Sequence, residues 1–273
     1  MKLTSLNRLL KPLFDMKLIE IFDYVNETDG RPSALIDVNN HHWALIGIDI
    51  SRTYIKIVLT TLKMQLIDQV SIPLDHSKSP HEMINIINKK INSYKIKYTS
   101  KTILGIGIGM IGPIDKATGI LLNLEPFPVD TFFNIDIKNP IERATQLPVK
   151  IESGANLAVL SEYYFGEAKN YENIAYINCG VGIRSSVLLS NKILSTKNSS
   201  ESAFAHMIVD YDGPLCACGQ KGCIDASSSI FSMLNMYKEN LMNNSPTRLL
   251  QKNIEDIQYI DFLTSAHGVS IIL

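Results

Sequence analysis

His206, Cys216, Cys218 and Cys223 lie within eighteen residues of a 273-residue chain that holds only four cysteines. They belong to "HMIVDYDGPLCACGQKGCIDA", residues 206–226, where the thiols follow C-x-C-x4-C. Thiolates and imidazole are the donors that tetrahedral zinc selects, and a set of four protein ligands leaves no open position for a catalytic water. Gly219 and Gly222 supply the tight turns that converging ligands require. A structural zinc held by His206, Cys216, Cys218 and Cys223 is therefore expected. The plainer alternative is three loop thiols without a metal. Cys179 sits in a separate apolar run and is not an obvious fourth ligand.

A disulfide framework is not expected. The N-terminus, "MKLTSLNRLLKPLFDMKL", has charges scattered through it and does not read as a signal peptide. No stretch reaches the roughly 18 apolar residues of a membrane span. A reducing cytoplasmic setting follows. Hydrophobic residues make up 45% of the chain and charged residues 19%, with a net charge of −1. That is an ordinary globular composition without a global basic field, so any nucleic-acid contact must be local.

The elements that must position the ligands can be read from periodicity. Residues 4–19 carry Leu6, Leu9, Leu10, Leu13 and Leu18 near helical spacing, with Thr4 or Ser5 as a cap and Pro12 expected to interrupt the pattern. "EIFDYV" and "ALIDV" read as strands around a turn. Helix then hairpin is either the back half of a winged helix or a segment packed on the main body. "WALIGIDI", "YIKIVLTTL" and "LIDQVSIPL" form a predicted antiparallel meander, followed by a helix capped near Ser79. "ILGIGIGM" is a strand ending in the turn "IGPID". "KNPIERATQL" is a helix, "PVKIES" a strand and "GANLAVLSEYYFG" a helix. "NIAYINCGVGI" and "SSVLLSNKIL" open a second lobe. The hairpin-then-helix theme occurs twice, which predicts two α/β lobes on mixed sheets.

"GIDI" at 47–50, "GMIGPID" at 109–115, "GANLAVLSEYYFG" at 154–166, "CGVGI" at 179–183 and "AHM" with "CACGQKGCID" between 205 and 225 resemble the ROK family of bacterial repressors, open reading frames and sugar kinases. The His and three Cys match that family's zinc motif. The resemblance implies an actin-like (ribonuclease H-like) two-lobed fold. It divides the chain into a partial winged helix over 1–43, a first lobe over 44–170 and a second lobe with the zinc loop over 171–273. The N-terminal segment, with Gly30, Arg31 and Pro32 at the wing turn, resembles the end of the winged helix that the family's repressors carry and its kinases lack. Against the family's pattern the chain opens at the recognition helix and stops fifty residues after Cys223, so it is expected to be truncated at both ends.

The departures point away from catalysis. The family's kinases place an Asn-Asp pair before "AN", and the Asp acts as general base. Here Ser153 and Gly154 stand at those positions, and a glycine cannot take a proton. Ser51 and Arg52 replace small residues in the first phosphate turn, Val181 replaces a hydroxyl residue in the second, and Arg184 adds bulk where a nucleotide would lie. Ala203 stands where the kinases have a sugar-contacting Glu, and Asp225 replaces a Glu. Glu152, Asn156, His206 and Asp225 match positions near the sugar, with Asn123 and Pro126 as further candidates. For Asn156 helix capping is the alternative, and Asp49 could face a phosphate or simply pair with a neighbouring turn.

The function implied is a transcriptional repressor of sugar catabolism, most like the xylose-type repressors, with the kinase-like body as a non-catalytic sensor of a small sugar effector. A glucokinase-like sugar kinase and a non-functional remnant are the alternatives. Thr4, Ser5, Asn7 and Arg8 would face the major groove or phosphates, with Lys11 and Arg31 on the backbone. Lys2, Arg8, Lys11 and Lys17 stand against Asp15 and Glu20, too small an excess for the 6–10 phosphate contacts of a strong binder. Operator binding by this chain alone is therefore expected to be weak or lost. Homo-oligomers are what the family implies.

Overall fold

The structure, a computed structural model, describes residues 3–25, 32–51, 54–74, 77–122, 135–195 and 204–242. It divides the chain into two compact units, one of residues 1–123 and 127–154, the other of residues 124–126 and 155–273. The sequence had suggested boundaries at 43 and 170. In the structure the N-terminal segment groups with the first unit. The helix that follows Ser153 groups with the second from Ala155 onward.

The first unit opens with α1 (Leu3–Asp15) and a hairpin of β1 (Ile19–Val25) and β2 (Ser33–Val38). Two expectations are corrected here. Ser5 lies inside α1 rather than capping it, because the helix already includes Leu3. Pro12 does not interrupt it: the ring removes one N–H from the ladder, yet the Met16 amide still donates to the Pro12 carbonyl at 3.0 Å. The helix stops instead at Lys17, in left-handed backbone at φ 56°. The Leu18 amide reaches back to the Leu13 carbonyl and the Lys17 amide to that of Phe14, closing the last turn.

The core of this unit is a five-stranded sheet in the order β5-β4-β3-β6-β9. β3 (Trp43–Ile50), β4 (Tyr54–Thr61) and β5 (Leu66–Pro73) are the expected antiparallel meander. β6 (Thr102–Met110) and β9 (Val149–Ser153) run parallel to β3. Alternation along β3 and β4 turns Ala44, Ile46, Ile48 and Ile50, with Ile55, Ile57 and Leu59, to one buried face. α2 (Pro80–Lys97) covers that face with Met83, Ile84, Ile87, Ile91 and Tyr94. Its start is a capping box: Ser79 accepts from the Glu82 amide, and Glu82 accepts from the Ser79 amide at 2.8 Å. α3 (Lys138–Thr145) adds Ile141. The turn expected at "IGPID" is a small hairpin of β7 (Ile114–Asp115) and β8 (Ile120–Leu121), its loop held by the Asp115 carboxylate, which accepts from the Ala117 amide. Each fully buried isoleucine contributes about 1.5–3 kcal/mol, so this face is the main apolar contribution to the unit among its described residues.

The second unit buries fewer apolar side chains among its described residues. α4 (Gly154–Tyr164) leads to β10 (Ile174–Cys179), β11 (Ile183–Leu189) and β12 (Lys192–Ile193), an antiparallel sheet in that order. Ser190 and Asn191 take left-handed backbone in the two-residue β11–β12 turn, the geometry that suits a tight hairpin. The cysteine loop follows, then α5 (Ile224–Ser228) and α6 (Ile230–Met242). Asn156 of α4 is buried and accepts from the Ser186 hydroxyl on β11 at 2.5 Å, the tie that draws α4 into this unit. No described helix is long and apolar enough to cross a membrane.

Candidate metal centre

The loop between residues 204 and 226 is shaped by backbone before any ligand is considered. The Val209 amide donates to the Gly222 carbonyl at 2.8 Å, the Cys216 amide to Gln220 at 2.8 Å and the Gly222 amide to Pro214 at 2.9 Å. Isolated bridges join Ile208 to Cys223 and Leu215 to Lys221. Two glycines make the folds possible. Gly219 has φ +88° in open space, whereas Gly222 has φ +75° and a Cβ there would lie 1.5 Å from the Asp210 carbonyl oxygen. Only glycine fits the second position.

This frame brings His206, Cys216, Cys218 and Cys223 together, with one ligand atom from each and all of them within 4.8 Å of one another. The Cys216 sulfur is 3.5 Å from His206 Nδ1, and the Cys218 and Cys223 sulfurs are 3.6 Å apart. Tetrahedral zinc with bonds of about 2.3 Å to sulfur and about 2.0 Å to nitrogen would set the sulfur–nitrogen edge at ~3.5 Å and the sulfur–sulfur edge at ~3.8 Å. The spacing thus suits one small tetrahedral cation. Burial pushes the Cys216 thiol up to about 12 and raises Cys223 as well. A divalent cation bound here would supply the charge that favours the thiolate form of Cys216 and Cys223. The donor set can hold a metal, and four protein ligands around it would leave no room for substrate.

The other candidate residues are placed as follows. Glu152, on β9, pairs with Lys116 at 2.9 Å and accepts from the Ser153 amide at 2.8 Å. Ser153 is buried at the end of β9, and Gly154 begins α4. A Cβ at Gly154 would meet only the Met110 carbonyl at 3.6 Å, so bulk does not forbid a side chain there. Asn156, the third residue of α4, is buried, and its side-chain oxygen accepts from the Ser186 hydroxyl. Asp225 accepts from the Ile183 amide at 2.7 Å, tying α5 to β11. Asp49 accepts from the Tyr54 hydroxyl at 3.1 Å, and Ser51 bonds the Tyr54 backbone, so that turn is held by its own side chains. Sequence alone gave no signal for Lys116 or Ser186, because neither pairing is local. Ala203, Asn123, Pro126 and Arg52 lie outside the described residues.

On α1, Ser5, Asn7, Arg8 and Lys11 are all exposed along the helix. Thr4 is helical, but its side chain lies outside the described residues, as do Lys2, Gly30 and Arg31.

Comparison with known proteins agrees with this architecture. A xylose repressor of Caldicellulosiruptor bescii is 27% identical over 86% of this chain and 59% of its own length. A xylose repressor of Bacillus subtilis is 28% identical over 87% and 58%. A glucokinase of Thermotoga maritima is 29% identical over 49% of this chain and 42% of its own. The chain thus spans a little under six-tenths of the length of these repressors. Among solved structures, a ROK-family transcriptional regulator, described as a homologue of the E. coli Mlc protein, superposes with a TM-score of 0.80 at 20% identity, covering 96% of this chain and 65% of that one. A Streptomyces griseus ROK glucokinase reaches 0.67 at 21% identity over 82% and 70%. The sequence pattern of the ROK family matches residues 45–266, most of the chain, and this protein belongs to the ROK family.

Proposed function

We propose that this chain is the body and helix–hairpin segment of a ROK transcriptional repressor of sugar catabolism, with xylose utilisation the pathway favoured by its relatives. The observation that carries this is coverage. The regulator fold accounts for 96% of the chain, whereas the kinase fold stops at 82%, which leaves room for little more than the body. The helix–hairpin over 1–43 is the partial winged helix, presenting Ser5, Asn7, Arg8 and Lys11, with Thr4 and Arg31, to DNA. Residues 44–170 and 171–273 are the two lobes of a sugar sensor, working in the cytoplasm as a homo-oligomer.

The sensor is non-catalytic in this proposal, because Gly154 offers no carboxylate where a sugar hydroxyl must be deprotonated. Glu152 and Asn156 are the sugar contacts favoured by position. His206 serves the metal, a structural zinc shared with Cys216, Cys218 and Cys223. Asp225 acts chiefly as the clamp on β11. The sugar kinase alternative rests on the glucokinase relatives of the body.

Two assays separate these. Coupled ATP consumption with xylose, glucose, N-acetylglucosamine or N-acetylmannosamine should be absent, and Gly154→Asp alone should not restore it. Turnover in the usual kinase range of about 1–100 s⁻¹ would favour the kinase instead. Gel shifts at low salt should give weak operator binding, strengthened when the first helices of a related repressor are grafted ahead of Met1. No binding even with the graft would remove the repressor proposal.

A further inference from the structure

The helix–hairpin segment is attached to the first unit in an unusual way. None of the described residues of α1, β1 or β2 is buried, and Leu9, Phe22 and Tyr24 are each about three-fifths exposed. Among the described residues, no fully buried apolar side chain of the segment joins it to the sheet. The corner after it, residues 39–42, is by contrast firmly seated. The Asn39 side chain accepts from the His41 and His42 amides at 2.8 and 3.0 Å. Lys101 Nζ donates to the Asn40 carbonyl at 2.9 Å, the Asn40 amide group donates to Gln65 at 2.6 Å, and the Thr102 amide donates to the His42 carbonyl at 2.8 Å.

At the corner the Asn39 amide donates to the Leu18 carbonyl at 2.9 Å, and beyond it two described side-chain ties run from the segment to the body. The Trp43 indole N–H donates to the Met16 carbonyl at 2.9 Å, just past the end of α1. Lys63, in the β4–β5 turn, pairs with Asp37 of β2. Both ties are polar and partly exposed, so each contributes little on its own. A thirteen-residue helix and a lone two-stranded hairpin are also marginal when released from a partner.

We infer that Trp43–Met16 and Lys63–Asp37 form a latch: when it opens, the segment pivots after Val38 and loses order while the five-stranded sheet stays folded. The ordered state of the exposed face of α1 then depends on the latch. Any ligand that recognises that face also closes the latch, because it binds only the docked state. The regulatory meaning of the latch rests on the repressor proposal, whereas the latch itself does not.

Hydrogen exchange read by mass spectrometry on the intact chain tests this without DNA. Amides of α1, β1 and β2 should exchange far faster than those of β3 and β6, through an opening that leaves the sheet closed. Lys63→Met and, separately, Trp43→Phe should each accelerate the segment by about five-fold, the equivalent of one modest hydrogen bond, with β3 and β6 unchanged. In Lys63→Met, emission of the chain's single tryptophan should shift to the red. Equal protection of segment and sheet, or variants that accelerate both together, would overturn the latch. Failure of operator binding in the separate gel-shift assay would leave these exchange results untouched.

Discussion

The two units hold their shape by different means. In the first, β3 and β4 turn a continuous isoleucine-rich face onto α2, and Ile55, Ile57, Leu59 and Ile91 have no solvent exposure at all. In the second, the buried apolar side chains among the described residues are few: Ala155, Val159, Ile183, Leu188 and Ala205, with the thiols of Cys216 and Cys223. Ile177 and Leu189 of its small sheet stay more than half exposed. Among the described residues polar ties stand out instead: Asn156 with Ser186 and Asp225 with the Ile183 amide, beside the cluster of His206 with three cysteines that can hold a metal. The lesson is that related hairpin-and-helix themes can be stabilised by packing in one unit and by directional bonds in the other.

The sharpest way to break that contrast is to remove the metal. Zinc should be found at one per chain in protein purified without chelator. Chelation should melt the loop over 204–226, with a loss on the order of 10 kcal/mol of apparent metal-linked stability, while β3–β6 stay protected. Cys218→Ser should do much the same, and the exposed Cys179→Ser should change stability by about 0.5 kcal/mol at most. Metal-free protein with an unchanged loop in hydrogen exchange would show that the second unit does not depend on its ligands.

Next in size is the backbone of the same loop. Gly222→Ala drives a methyl into the Asp210 carbonyl and should disrupt the loop, at about 4 kcal/mol or more. Gly219→Ala, with the same handedness but open space, should cost only ~1–2 kcal/mol. Comparable losses for the two, read from zinc affinity and thermal unfolding, would mean that the close approach at Gly222 is not what matters. In the first unit, Ile91→Ala should cost roughly 2–5 kcal/mol in denaturant unfolding and leave zinc content unchanged. A drop in bound zinc would mean that the units are not independent in this respect.

The smallest expected effect is a pH dependence at the rim of the first unit. Asp68 accepts from Lys97 Nζ and from the Tyr98 hydroxyl, each at 2.8 Å. The Lys97 bond above all, then that of Tyr98, lowers its carboxyl to about 2. A carboxylate depressed in the folded state adds stability above its unfolded value, and that stability is lost as pH falls through the folded one. Wild type should therefore lose stability between about pH 4 and pH 2 more steeply than Asp68→Asn, while showing a small advantage near pH 7. Identical acid profiles would remove Asp68 from the account.

Much of this was legible in the chain itself. Period-two alternation in "WALIGIDI" and "YIKIVLTTL" located β3 and β4, because only one face of each is buried at every second residue. Ser79 announced the start of α2, and C-x-C-x4-C with His206 announced the candidate metal cluster, since both show in nearby sequence. Pro12 was misleading. Its local penalty is real, but one missing hydrogen bond did not outweigh a helix otherwise intact through Asp15.

The sequence by itself determined most of the strands and helices, since each is encoded by local periodicity, and it pointed to His206, Cys216, Cys218 and Cys223, donor types gathered within eighteen residues. Only the tertiary structure decided what Asn156, Asp225, Glu152 and Trp43 do. Their partners Ser186, Ile183, Lys116 and Met16 lie between 27 and 42 residues away in the chain, and it is the fold that closes those distances. A side chain's type states what it can bond; which group it meets is settled by how the sheets and helices pack around it.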